Sequence, residues 1–125
     1  MDEFETITAD DLKEKLESDD DFVLIDTLGD MSYQRAHLPE AISISAKDND
    51  FVANVEAAVA DKSVPVIVYC ASFSCDLSPE AAQNLVDAGF ENVIDYEGGL
   101  KDWVENGYEL EGDDAETMAE ELTEE

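Results

Sequence analysis

Apolar positions in this chain alternate between short unbroken runs and helical spacings. Phe22-Val23-Leu24-Ile25-Asp26 and Val64-Pro65-Val66-Ile67-Val68-Tyr69 are runs of strand length. The first does not alternate, which predicts burial on both faces, as in a parallel sheet, and the second is the strongest strand signal in the chain. Residues 4–6, 41–45 and 92–96 are weaker strand candidates, the first at an edge. Between these runs the spacing turns helical. Thr8 precedes Asp10-Asp11-Leu12 in a start resembling a capping box, and Leu16 continues its apolar stripe. Phe51, Val52, Val55 and Val59 predict a helix from about residue 48 to 60. Ser78-Pro79-Glu80 offers a cap, a proline at the first helical position and an acid in the first turn. That helix carries Ala81, Ala82, Leu85 and Val86 and stops at Gly89. Gly98-Gly99 opens a last helix with Leu100, Trp103 and Val104, ending near Gly107, and the segment before His37 reads as a polar loop. Strands and helices in this rhythm predict an α/β domain over residues 1–110 with a mainly parallel sheet. Residues 111–125 are mostly acids with Met118, Ala119 and Leu122, and read as an acidic tail or a frayed helix.

Charge changes the picture of the surface. Thirty-four Asp and Glu stand against six Lys and Arg, for a formal net charge of -28 over 125 residues. The acids are spread among apolar positions instead of forming one block, which reads as a folded domain with an acidic skin. Such a skin repels itself, and at molar salt the screening length falls to roughly 3 Å. A salt-adapted, halophilic cytoplasm is the simplest setting for both facts. The acidic coat argues against nucleic acid and anionic membrane as partners, because both are polyanions. The start, Met1-Asp2-Glu3-Phe4-Glu5, lacks the features of a signal peptide, and no run approaches ~18 apolar residues. A soluble, cytoplasmic, monomeric protein is expected.

Two cysteines, Cys70 and Cys75, share one short segment. Cys70 falls at the C-terminal end of the strongest strand, the edge where α/β sheets usually bind ligands. A loop, Ala71-Ser72-Phe73-Ser74-Cys75-Asp76, then leads to a helix N-terminus. Thiolate is the nucleophilic form of cysteine, and unpaired amides with the helix dipole stabilise it. If the loop curls, its amides form an anion-binding nest around the sulfur. No metal, cofactor or histidine base is required. Burial as a small hydrophobe is the competing account of Cys70. Cys75 is either a resolving thiol, closing a disulfide with an oxidised or persulfidated Cys70, or a spectator. Two cysteines and one histidine fall short of a structural zinc site. His37 reads as a structural hydrogen bonder more readily than a base, Trp103 as core, and Arg35 as a surface ion-pair partner.

Several segments, taken in order, resemble the rhodanese-like family. Val23-Leu24-Ile25-Asp26 looks like its early strand, and Ala36-His37-Leu38-Pro39-Glu40-Ala41-Ile42 resembles its G-H-I-P-G-A-I element. Val68-Tyr69-Cys70 is similar to the strand that leads to its active cysteine, and Gly98-Gly99 with Trp103 resembles its closing element. The resemblance implies a three-layer sandwich with helices on both sides of a parallel sheet. It also implies sulfurtransferase chemistry. Cys70 takes sulfane sulfur from a small-molecule or protein persulfide donor and passes it to a thiol acceptor, with Asp26 and His37 in support. A thiol-disulfide module using Cys70 and Cys75, or a non-catalytic binding or regulatory domain, are the alternatives.

The loop departs from that pattern. Active members read C-x-x-G-x-R-S/T, whose arginine assists an anionic donor such as thiosulfate. Here the arginine position holds Cys75 in one register and Leu77 in the other, with Asp76 adjacent. Capture of a dianion should therefore suffer. Phosphatases related to this fold place an arginine six residues after the cysteine; here that residue is Asp76, which argues against phosphate chemistry. The family's Asp-x-Arg is also broken, Leu28 following Asp26 and Thr27, so Asp26 is expected to bond loop amides instead.

Overall fold

The computed structural model describes residues 4–18, 21–59, 61–73 and 75–123. Five strands form one sheet: β1 (Glu5–Thr6), β2 (Val23–Asp26), β3 (Ile42–Ser43), β4 (Val66–Tyr69) and β5 (Val93–Tyr96). Their order is β1-β5-β4-β2-β3 and every pairing is parallel. The two unbroken apolar runs thus lie side by side at the centre, and both faces of that pair are covered. On one side Ile25, Val66, Val68 and Val93 pack against α3 (Phe51–Ala58) and α4 (Leu77–Asp87). On the other, Leu24, Ile67, Tyr69 and Tyr96 meet α1 (Ala9–Glu17) and α5 (Gly99–Glu105), with Trp103 fully buried. The fold is a three-layer α/β/α sandwich, as the resemblance to the rhodanese-like family implies.

The ends of the helices follow local chemistry. The Asp11 amide donates to the Thr8 hydroxyl at 3.2 Å, capping α1. Gly89 takes φ +99 just past α4, where the Phe90 amide turns back to Leu85 O, so a left-handed residue ends the helix. The expectation of a polar loop before His37 is corrected: a short helix, α2 (Asp30–Arg35), lies there. It buries none of its residues, so it carries no apolar stripe for sequence periodicity to register. The helix expected from about residue 48 to 60 begins only at Phe51 and ends at Ala58.

The acidic C-terminal segment is helical from Ala115 to Thr123 (α6). Met118 and Leu122 pack against the second apolar cluster. His37 and Glu111 exchange backbone hydrogen bonds of 2.8 and 2.9 Å. Arg35 reaches Asp114 at 3.3 Å and Glu121 at 3.0 Å. These ion pairs are half exposed and contribute little each. Among the described residues no helix is long and apolar enough to cross a membrane.

Candidate active site

Asp26, Tyr69 and Tyr96 are aligned across β2, β4 and β5, so the three strands end together. Cys70 is the next residue on the central strand, and two clamps fix where it leaves the sheet. Thr27, fully buried, donates both its amide (3.1 Å) and its hydroxyl (2.8 Å) to Tyr69 O. From the other side, the first amides of α5 reach across: Leu100 N donates to Cys70 O at 3.1 Å and Lys101 N to Ala71 O at 2.9 Å. Gly99 allows this approach, because a Cβ there would overlap the Cys70 carbonyl oxygen.

Cys70 is fully buried, and its sulfur is bonded to that of Cys75, with 6.4 Å between their Cα atoms. The loop is therefore closed on itself. The Cys75 amide donates to Ser72 O at 3.1 Å, so it is spent on the turn and not aimed at the Cys70 sulfur. Phe73 projects outward, 71% exposed, and Asp76 is exposed at the start of α4 without making a side-chain cap. Ser74 lies outside the described residues. The expected cap at Ser78 is corrected. The helix starts at Leu77, which puts Ser78 inside the first turn, where its hydroxyl sits 3.4 Å from the Cys70 sulfur.

Asp26 accepts from the Leu28 amide at 2.8 Å and from the Tyr69 hydroxyl at 3.0 Å, the loop-amide bonding expected when arginine is missing. Burial raises its pKa, and those two bonds oppose the rise. The Tyr69 hydroxyl also accepts from Leu38 N at 3.0 Å, tying the 36–42 segment to β4. His37 Nδ1 donates to Tyr33 O at 2.7 Å, and its ring stacks on Tyr33 with centroids 3.9 Å apart. Both contacts are within its own segment. Arg35 is engaged at the surface and Trp103 is core, as the sequence suggests.

Sequence reasoning missed Ser78 as a neighbour of the Cys70 sulfur and Asp95 as a buried acid beside Ser78. Asp95 is fully buried in β5, and neither carboxylate oxygen completes a hydrogen bond. Burial lifts its pKa from 3.8 to about 6; nearby Ser78 pulls it down and Glu97 adds to the rise. The sign for stability follows directly. The folded state holds this proton more tightly than the unfolded chain does, so folding loses free energy as pH rises from 3.8 through about 6. The gap corresponds to ~3 kcal/mol withdrawn by pH 7. Asp95→Asn is therefore expected to gain ~3 kcal/mol over the parent between pH 4 and pH 7, measured by urea unfolding in high salt. Parallel pH profiles would rule this out.

The two depressions beside the loop are acidic. One of about 270 Å³ is lined by Ser72, Phe73, Lys101, Asp102 and Glu105. Another brings Phe73 together with Asp10, Asp11, Glu97 and Asp102.

The sequence profile described as Rhodanese-like domain matches residues 8–106. The chain belongs to that family. The rhodanese-like domain is 34% identical over 84 residues to a protein from Coxiella burnetii named thiosulfate sulfurtransferase GlpE, covering 66% of this chain and 72% of that one. A solved thiosulfate sulfurtransferase from Pseudomonas aeruginosa superposes with a TM-score of 0.78 at 26% identity over 87% of this chain. The domain spans only 20% of that longer chain. The Alr3790 protein from Anabaena gives a TM-score of 0.77 at 28% identity, covering 92% of this chain and 99% of the other.

Proposed function

We propose that this domain is a rhodanese-type sulfurtransferase or persulfide carrier in which Cys70 is the nucleophile and the Cys70–Cys75 disulfide is its oxidised resting form. The observation that carries this reading is the placement of Cys70. It follows the central parallel strand, is clamped on both sides by Thr27 and the start of α5, and has its sulfur against the first turn of an eleven-residue helix. Similarity to proteins named thiosulfate sulfurtransferase supports the same chemistry. A thiol reductant opens the disulfide. The Cys70 thiolate then attacks the outer sulfur of a donor persulfide, takes that sulfur and releases the donor thiolate. The new persulfide passes its outer sulfur to an acceptor thiol.

The donor is a protein or low-molecular-weight persulfide in preference to thiosulfate. The loop has no arginine, and Asp76, Asp102, Glu105 and Glu97 surround its approaches. Thiosulfate is expected to load Cys70 at least ~10-fold more slowly, the equivalent of about 1.4 kcal/mol.

The disulfide also favours a second reading, a thiol-disulfide module. Here the Cys75 thiolate attacks the Cys70 sulfur of the persulfide, expels hydrosulfide and closes the disulfide. The two cysteines lose two electrons and the expelled sulfur gains them. Intact-mass measurement after reduction and brief exposure to cysteine persulfide separates the readings. Sulfur transfer predicts one added sulfur atom, lost in Cys70→Ser and longer-lived in Cys75→Ser. A thiol-disulfide module predicts that both substitutions abolish turnover equally. No adduct on any variant points to a non-catalytic domain and ends both proposals.

A further inference from the structure

Asp95 and Ser78 have no part in the steps above, yet both are buried, Ser78 against the Cys70 sulfur and Asp95 beside Ser78. Asp95 is 0% exposed with both carboxylate oxygens unpartnered, and Ser78 is 1% exposed with its hydroxyl 3.4 Å from Cys70 Sγ. A buried polar group without a partner is costly, and an ionised one costs more. Valine or asparagine in β5 would avoid that charge. The only histidine, His37, spends its Nδ1 proton on Tyr33 O.

We infer that Asp95 and Ser78 form a proton-holding pair for Cys70: the carboxylate takes up a proton when Cys70 becomes a thiolate or persulfide anion and releases it when the disulfide closes. Ser78 has one proton to donate and two candidate acceptors, the sulfur and the carboxylate. Two buried anions flanking one hydroxyl cannot both stay ionised cheaply, so the pair titrates as a unit. With Asp95 protonated, the acid donates to Ser78 Oγ and the Ser78 hydroxyl donates to the sulfur anion, leaving one net charge where there would be two. The step balances. A dithiol reductant supplies two electrons to the disulfide, Cys75 leaves as a thiol, Cys70 stays as thiolate, and one proton enters at Asp95.

The surroundings leave Asp95 little alternative. Across β1 its register partner is Thr6, beside exposed Glu5, and across β4 it faces Val68. The start of α4 contributes Ser78, with Asp76 and Glu80 exposed, and Glu97 acts on Asp95 from two residues along the chain. Among the described residues no cation acts on it.

The inference rests on Cys70 being the reactive sulfur, and the two can fail separately. Infrared difference spectra between the disulfide and reduced protein at pH 7 should gain a protonated-carboxyl band on reduction. That band should be lost in Asp95→Asn. In a Cys75→Ser background, the pH profile of Cys70 alkylation should show two inflections, the lower near pH 6. Asp95→Asn should leave one. Absence of the carboxyl band from the native protein overturns the pair, even where Cys70 takes sulfur from a donor. Appearance of the band in a protein that accepts no sulfur sustains the pair and removes the sulfur-transfer reading instead.

Discussion

Lowering the salt from ~1 M to ~0.01 M is expected to unfold this domain at room temperature, although no contact within it changes. Over that range the screening length grows from roughly 3 to 30 Å. Six cations cannot partner 34 acids, and two of the acids that are paired, Asp114 and Glu121, share Arg35. Two like charges ~10 Å apart repel by about 0.4 kcal/mol in unscreened water. With several such neighbours for each acid, the total reaches the net stability of a small domain, ~5–15 kcal/mol. The unfolded chain spreads the same charge over a larger volume and feels less of it. Near-ultraviolet circular dichroism of buried Trp103 in a sodium chloride titration reads the transition directly. A neutral osmolyte run in parallel separates screening from surface exclusion. A signal flat across the titration would remove electrostatic repulsion as a factor in this fold. Across the salt range in which the Trp103 signal stays native, the same field opposes a thiolate at Cys70, so alkylation of the reduced, folded protein should quicken with salt.

The central sheet and the position of Cys70 were legible because both are written in contiguous residues. Val66 to Tyr69 are apolar on both faces and lead straight into the cysteine. Asp26 was legible as an acid closing a strand, and its bond to the Leu28 amide follows from the missing arginine. What stayed hidden depends on long-range geometry or on a weak local pattern. The closeness of Cys70 and Cys75 in sequence offers a disulfide as one of two readings, and which of them holds depends on how the loop folds back within a 6.4 Å Cα separation. Ser78 reads as a cap because Pro79 follows it; two extra residues of helix, Leu77 and Ser78 itself, convert it into a partner of the sulfur. Asp95 carried the one usable signal that went unread. An acid inside Val93-Ile94-Asp95-Tyr96 repeats the arrangement of Asp26 at a strand end, but without the amide and hydroxyl that satisfy Asp26. Helix α2 had no apolar stripe to find.

Gly99→Ala is expected to cost ~4 kcal/mol or more and to detach the Cys70 loop from the sheet edge. Three contributions point the same way. Gly99 has φ +61, a conformation that costs an alanine ~1–2 kcal/mol. Its Cβ would overlap the carbonyl oxygen of Cys70 and stand 2.8 Å from the carbonyl carbon of Ala71, and both obstacles are backbone that cannot rotate away. Relief requires α5 to move back, which breaks the bonds from Leu100 N to Cys70 O and from Lys101 N to Ala71 O. Gly107→Ala is the internal control. Its φ is +86, but nothing lies within 4 Å of the added methyl, so only the conformational cost of ~1–2 kcal/mol remains. Urea unfolding in high salt compares the two, and the rate of Cys70 alkylation after reduction reports on the loop. Equal losses at both positions would mean that the approach of α5 to the loop is incidental. A far larger loss at Gly99, accompanied by a Cys70 that reacts faster because it is no longer held under α5, makes that approach the element that seats the sulfur at the end of the central strand.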